Sequence, residues 1–250
     1  MLIRNLKGSR RSKRLQFDIS GVTIYYEFHE GSHIESLRTV LGGKGVDLGK
    51  KMKNLNELDG VLTDTWSMLK RGVEKFNDPC HWPVLGTIGE DGCSQRTVIL
   101  RRFDRIERLL VCYTDARATK VREIKENSRV SWLFYHPGKK IQVKIAGPAE
   151  LHTDDPFAEN LWQATSVATR MNFCTADPPG TQVEHPTTGL PDFFVNKAPT
   201  LLDGERGRKN FMVISCRIQS MDWLALGILG NKRAKFEWME NELSAFWLVP

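Results

Sequence analysis

The sequence predicts a mainly β domain with peripheral helices, arranged as a split antiparallel β-barrel. Three observations predict it. Between residues 81 and 151, strand-like runs follow one another across short turns, with a single short helix, ATKVREIKEN (118–127), among them. Further strand-like runs fill the chain from 210 to 250. The one long amphipathic pattern, at 56–76, lies outside both groups. Strands joined by tight turns favour antiparallel pairing, whereas parallel strands need a long crossover between them.

Residues 1–51 read as an N-terminal extension and 52–250 as one domain. In the extension, GVTIYYEF (21–28) predicts a strand and IESLRTVL (34–41) a short helix. GGKGVDLGKK (42–51) has the glycine and lysine content of a linker. From Asn56 the apolar residues Leu58, Leu62, Trp66, Leu69, Val73 and Phe76 recur at spacings of three and four, which is one face of a helix. Asn56 suits its start and Asp78-Pro79 its end.

The strand runs come next. HWPVLGTI (81–88), a Glu90-Asp91-Gly92 turn and SQRTVILRRF (94–103) predict a hairpin. RLLVCYT (108–114), the helix with Thr119 as N-cap, SRVSWLFYH (128–136), a His136-Pro137-Gly138 turn and KIQVKIAGPAEL (140–151) complete a meander. Asp155-Pro156 predicts a helix start, with aspartate as cap and proline in its first turn. Residues 174–208 carry five of the eleven prolines and predict a long loop. NFMVISCRI (210–218), MDWLALGIL (221–229), KRAKFEW (232–238) and SAFWLVP (244–250) predict the last strands.

Composition bounds the function classes. With 40% hydrophobic and 26% charged residues over 250 positions, the chain is globular, and no apolar run approaches the length of a membrane span. The net charge of +6 equals the charge of Arg4, Lys7, Arg10, Arg11, Lys13 and Arg14, which stand in the first fourteen residues with no acid. Such a tail reads as a solvated end, as a contact for nucleic acid or anionic lipid, or as an organelle transit peptide. Five cysteines, an odd count without C-x-x-C, favour a reducing cytoplasmic compartment. The six histidines form no metal-ligand pattern, and neither a P-loop nor G-x-S-x-G is present.

The chemistry concentrates in residues 93–142. Arg96 lies in a strand, Tyr113-Thr114 end the next, Lys120 opens the helix and Gln142 starts the last strand. Cations at strand ends and in the first turn of a helix suit a small phosphorylated ligand, since the helix's free N–H groups also favour an anion. On residue type alone these are equally ordinary surface cations.

Their order and spacing resemble the FMN-binding core of the pyridoxamine 5′-phosphate oxidase family. That family carries R-x-V-L-L-K, Y-T, S-R-K, N-P-R-x-x-L-L-F and R-Q-V. Here the same places hold Arg96-Thr97-Val98-Ile99-Leu100-Arg101, Tyr113-Thr114, Thr119-Lys120, SRVSWLF (128–134) and Gln142-Val143. Trp223, KRAKF (232–236) and WLVP (247–250) extend the likeness more weakly, so that it covers about residues 56–250. The resemblance implies an FMN-binding split barrel. It implies Arg96 and Lys120 as phosphate anchors, Thr97 and Val98 as strand backbone beside the ring, Tyr113-Thr114 as a hydroxyl-bearing strand end, and Ile99 and Thr119 as further cofactor contacts. Gln142 then meets the pyrimidine edge, with Trp223 and Lys235 as further cofactor contacts. It also implies a homodimer with FMN at the interface and an FMN-dependent oxidoreductase activity, with Arg101 and Arg233 toward substrate.

Departures limit what carries over. Thr119 replaces the family's arginine, for which Arg117 is the nearest substitute, and Arg101 replaces its substrate-contacting lysine. The R-L-H triplet that contacts pyridoxal phosphate reads Asn231-Lys232-Arg233, and Trp162 and Arg170 are the nearest candidates for a missing tyrosine–arginine–serine set. FMN binding therefore carries over better than vitamin B6 chemistry. The alternatives are a genuine pyridoxamine/pyridoxine 5′-phosphate oxidase, and a non-catalytic basic β-barrel that binds nucleic acid or a protein partner. For the last, most aromatics fall at buried strand positions rather than on an exposed stacking platform.

Overall fold

A computed structural model describes residues 2–6, 12–19, 22–29, 37–39, 58–90, 92–191, 194, 198–240 and 242–250, the first four segments as backbone only. The chain divides into two compact units, residues 1–64 and 65–250. In the first, strands β1 (Leu2–Leu6), β2 (Ser12–Ile19), β3 (Val22–His29) and β4 (Leu37–Thr39) pair in sequence order, all antiparallel. The strand expected at 21–28 is β3. The helix expected at 34–41 is corrected: Leu37–Thr39 is extended and pairs with Ile24–Tyr26, so cross-strand bonding overrides a weak local helical pattern. The Asn56 cap and the 42–51 linker lie outside the described residues.

Helix α1 (Leu58–Glu74) runs through the division between the units. Trp66 and Leu69 of the expected apolar face are buried, joined by Met68 rather than by Phe76, which lies past the helix end and is 67% exposed. Trp66 stacks on Phe103 at 5.3 Å and meets Trp238 at 5.8 Å. Asp78 then caps a 3-10 turn, Pro79–His81.

The second unit is a ten-stranded sheet: β5 (Val84–Gly89), β6 (Gly92–Thr97), β7 (Arg102–Asp104), β8 (Leu109–Asp115), β9 (Arg129–His136), β10 (Ile141–His152), β11 (Phe211–Arg217), β12 (Ser220–Ala225), β13 (Lys232–Met239) and β14 (Glu242–Leu248). Helices α2 (Thr119–Glu126), α3 (Pro156–Gln163), α4 (Val167–Met171) and α5 (Leu201–Glu205) lie between strands. Every strand pairing is antiparallel and the sheet does not close on itself, which makes it a split barrel.

Strand β10 organises it. One edge pairs with β9 from Ile141 to Pro148. The other pairs first with β12, over Ile141–Ala146, and then with β11, over Ala149–His152. The segment Arg217–Gln219, which joins β11 to β12, passes opposite Gly147, and there the sheet divides. A Cβ on residue 147 would lie 1.9 Å from the Arg217 carbonyl oxygen, so only glycine admits the bend. Alternation along β9 and β10 turns Val130, Trp132, Phe134, Val143 and Ile145 inward, all buried.

Three further details depart from expectation. The single strand expected at 94–103 breaks: β6 ends at Thr97, and residues 98–101 form an irregular crossing held by Val98 N–H to Pro83, Leu100 N–H to His81 and Arg101 N–H to Val111. Ala118, not Thr119, is the N-cap of α2, and no side chain caps that helix. The 174–208 loop contains α5, started by a capping box between Thr200 and Asp203. The cap at Asp155 is as expected, its carboxylate accepting from the Ala158 N–H at 2.8 Å. The same aspartate meets His152 Nδ1 at 2.7 Å, whose Nε2 lies 2.9 Å from Ser215 Oγ. This order of acid, imidazole and hydroxyl looks nucleophilic, but Ser215 sits mid-strand and is 4% exposed. It is a brace joining β10, β11 and α3. No helix among the described residues is long and apolar enough to cross a membrane.

Candidate functional site

The break after β6 makes the site. Arg96 and Thr97 end β6, Val98, Ile99 and Arg101 lie on the crossing, Tyr113, Thr114 and Asp115 end β8, and Lys120 lies in the first turn of α2. All of them line one cleft of about 290 Å³. Thr169, Asn172, Phe173 and Pro179 form its opposite wall. Eight of the thirteen predicted residues thus meet in one place, contributed by three elements that the chain order alone leaves apart.

Two cations dominate it. Lys120 Nζ donates to Thr114 Oγ1 at 3.1 Å, which holds the ammonium at the end of β8. Burial lowers its pKa first, and the positive charge of Arg96 lowers it further. An anion between the two would oppose this lowering by favouring the charged ammonium. The Arg96 guanidinium donates to Ser94 Oγ at 2.7 Å, to Glu123 Oε2 at 3.0 Å and to the Thr87 hydroxyl. Arg101 lies 5.3 Å from the Tyr113 ring centroid, and its own pKa is lowered chiefly by burial. Burial likewise raises the pKa of the Tyr113 phenol, so it stays a neutral hydrogen-bonding group at neutral pH.

The other five predicted residues lie elsewhere. Thr119 lines a separate cleft of about 270 Å³ with Cys93, Ser94, Arg122 and Glu123. Gln142, Leu224 and Arg233 stand opposite one another across β10, β12 and β13, and Lys144, Asp222 and Lys235 do so one pair further along. Gln142, Arg233 and Lys235 therefore share one face of the sheet. Trp223 points to the other face and is 1% exposed. Arg233 is held by Asp222 in a two-pronged contact, Nε to Oδ1 at 2.9 Å and Nη2 to Oδ2 at 2.6 Å, with Lys144 Nζ 3.4 Å from the same carboxylate. Hydrogen bonding to Arg233 is the largest influence on Asp222 and holds its pKa low.

The residues considered as substitutes have other work. Arg117 bonds Asp115 at 2.7 Å and the Thr175 and Ala176 carbonyls, tying the 175–176 loop to the end of β8. Trp162 is fully buried, and Arg170, 2% exposed, lies 4.6 Å from its ring centroid and pairs with Glu205. The opposite wall of the cleft went unpredicted: Thr169, Asn172 and Pro179 carry no motif, and only the fold brings them to Arg101.

The donor set fits a flavin mononucleotide at its phosphate end. Two cations line the cleft together with Thr97, Tyr113 and Thr114, whose side chains carry hydroxyl groups, and a phosphate dianion is suited by such a set. Comparison with known proteins agrees. Residues 63–153 match the family model described as the FMN-binding domain of pyridoxamine 5′-phosphate oxidase. A pyridoxine/pyridoxamine 5′-phosphate oxidase of Rubrobacter xylanophilus is 46% identical over 67 residues, 26% of this chain and 30% of that protein. One of Aliarcobacter butzleri is 34% identical over 111 residues, 44% of this chain and 50% of that protein. The chain thus spans half or less of the length of these curated relatives. Among solved structures, a pyridoxamine 5′-phosphate oxidase-related, FMN-binding protein from Nostoc punctiforme superposes with a TM-score of 0.58 at 21% identity, covering 75% of this chain and 96% of that one. PhzG from Burkholderia lata, in complex with tetrahydrophenazine-1-carboxylic acid, gives 0.55 at 18% identity, covering 76% and 91%. These two likenesses show the fold. The family match over 63–153, the split barrel around it and the phosphate-binding donor set agree: residues 63–153 are similar to the FMN-binding domain of the pyridoxamine 5′-phosphate oxidase family.

Proposed function

We propose that this protein is an FMN-dependent oxidoreductase that works as a homodimer, with Arg96 and Lys120 holding the cofactor phosphate. The convergence of those two cations with Arg101, Tyr113 and Thr114 on one cleft supports it most directly. Bound there, the flavin supplies redox chemistry that no side chain carries. The chain's own residues bind and orient. Lys120 and Arg96 fix the anionic end, Thr97, Val98 and Ile99 set a wall of strand and crossing, and Phe173 and Pro179 limit water on the far side.

A second copy of the chain completes the site in this reading. Gln142, Arg233 and Lys235 lie on an outer sheet face away from the cleft, so a partner subunit would bring them to the flavin ring. Five free thiols, four of them buried, agree with a reducing, cytoplasmic setting.

A second reading, pyridoxine or pyridoxamine phosphate oxidation, is favoured by the relatives' activity. Against it stand the Asn231-Lys232-Arg233 triplet and the engagement of Arg233 by Asp222. Reconstitution with FMN followed by anaerobic reduction and reoxidation tests the first reading. Hydrogen peroxide released on adding pyridoxine phosphate would favour the second. Flavin that binds but is turned over with neither pyridoxine phosphate nor pyridoxamine phosphate excludes the second reading. Protein that takes up no flavin contradicts both.

A further inference from the structure

We infer that Glu123 is a built-in counter-ion of the phosphate site, competing with the cofactor phosphate for Arg96 and setting how tightly the phosphate is held. The inference rests on the proposed role of Arg96. No sequence motif pointed to Glu123, which lies one turn beyond Lys120 on α2 and so faces the same side of the helix.

Four observations carry it. Glu123 Oε2 accepts from Arg96 Nη2 at 3.0 Å, and the carboxylate side chain is only 7% exposed against 21% for the arginine. The same oxygen accepts from the Thr87 hydroxyl at 2.5 Å, and that hydroxyl also contacts Arg96, which closes a three-membered polar cluster. Burial alone would raise the glutamate's pKa, but the Thr87 and Arg96 hydrogen bonds and the Arg96 charge outweigh it, so Glu123 stays ionised. Finally, the fold makes room for the carboxylate. A Cβ on Gly89 would come within 2.9 Å of Glu123 Oε1, so a glycine at the end of β5 admits it.

The consequence is electrostatic. The Arg96 guanidinium is already paired by a buried carboxylate, which also acts on Lys120 by its charge. A phosphate dianion that binds Arg96 and Lys120 must share the arginine with Glu123 and lies within Coulombic reach of it. Glutamine at this position keeps the shape and an acceptor for Arg96 but removes the charge. Ser94, Thr87 and the Leu85 carbonyl still orient the guanidinium. At distances of several ångströms and an effective dielectric near ~20, one charge removed strengthens dianion binding by at least about tenfold.

The test is a comparison of FMN with riboflavin, which lacks the phosphate, by titration of flavin-free wild type, E123Q and E123M, with thermal melts of each. The expected result is at least about tenfold tighter FMN binding in E123Q, riboflavin binding unchanged, and a lower flavin-free melting temperature that FMN restores. E123M, also neutral and of similar size, should move FMN affinity in the same direction. Should E123Q fail to fold, E123M carries the same comparison. Wild type that binds FMN while the variants bind it equally or more weakly overturns the inference and leaves the proposed function standing. Equal changes for FMN and riboflavin also overturn it, because they mark a structural role. Wild type that takes up neither flavin overturns the proposed function and this inference with it.

Discussion

Lys120 Nζ donates to Thr114 Oγ1 at 3.1 Å, so the first turn of α2 is tied to the end of β8 at the point where the proposed phosphate sits. The hydrogen bond holds a half-buried ammonium whose pKa is already lowered by burial and by Arg96. Lys120→Met should therefore weaken FMN by about tenfold or more, the scale of one charge-assisted hydrogen bond, and leave riboflavin affinity nearly unchanged. Fluorescence titration of both flavins checks this, with equal loss for both flavins contradicting the assignment.

Gly147 is the second site at which a single change is decisive. A methyl group there meets the Arg217 carbonyl oxygen at 1.9 Å, and both are backbone-bound in the bend that divides the sheet. Gly147→Ala should destabilise the second unit by about 3 kcal/mol, the upper end of overpacking costs. A urea midpoint within error of the wild type would show that the bend relaxes more easily than its geometry implies.

Arg170 separates packing from function. It contacts the Trp162 ring, the Thr165 and Trp162 carbonyls and Glu205, and it lines none of the candidate cleft. Arg170→Met is expected to lower stability by roughly 2–4 kcal/mol through orphaned carbonyls and a lost buried ion pair. FMN affinity, measured well below the unfolding transition, should stay within about twofold. A selective loss of affinity with normal stability would return Arg170 to the site.

Acid stability follows from Asp78. Burial alone would raise its pKa, but the Cys80 N–H at 3.0 Å and Arg71 at 2.8 Å outweigh it and hold it below the ordinary 3.8. The native value is the lower one, so this contribution is complete above the unfolded pKa and is lost as pH falls through the native value. Urea midpoints between pH 6 and pH 3 should fall with acid. Asp78→Asn should flatten part of that fall, leaving the part due to Glu123, Asp155 and Asp222, whose pKa values are also lowered. An unchanged slope would show that Asp78 does not carry it.

The strands and the site cations were legible because period-two alternation and short turns encode them locally. The bends were not. Gly147 reads as an ordinary strand residue until Arg217 is seen against it. The 98–101 break is invisible in TVILRRF, an unbroken β-prone run, because long-range pairing with Pro83, His81 and Val111 imposes it. Thr119 matched by position, but α2 begins one residue earlier than its cap reading, so that Thr119 is its first residue and lines the separate cleft with Glu123. The wall of Thr169, Asn172 and Pro179 needs α4 folded against the end of β8, information that no local pattern contains.

The central claim is that one cleft binds FMN through Arg96 and Lys120. Its most direct test is flavin uptake by wild type and by the Arg96→Met/Lys120→Met double variant, read by visible flavin absorbance after gel filtration. The account predicts stoichiometric FMN on the wild type and its loss from a folded double variant. A wild-type protein that stays colourless after reconstitution, or a double variant that retains FMN as tightly, would contradict it.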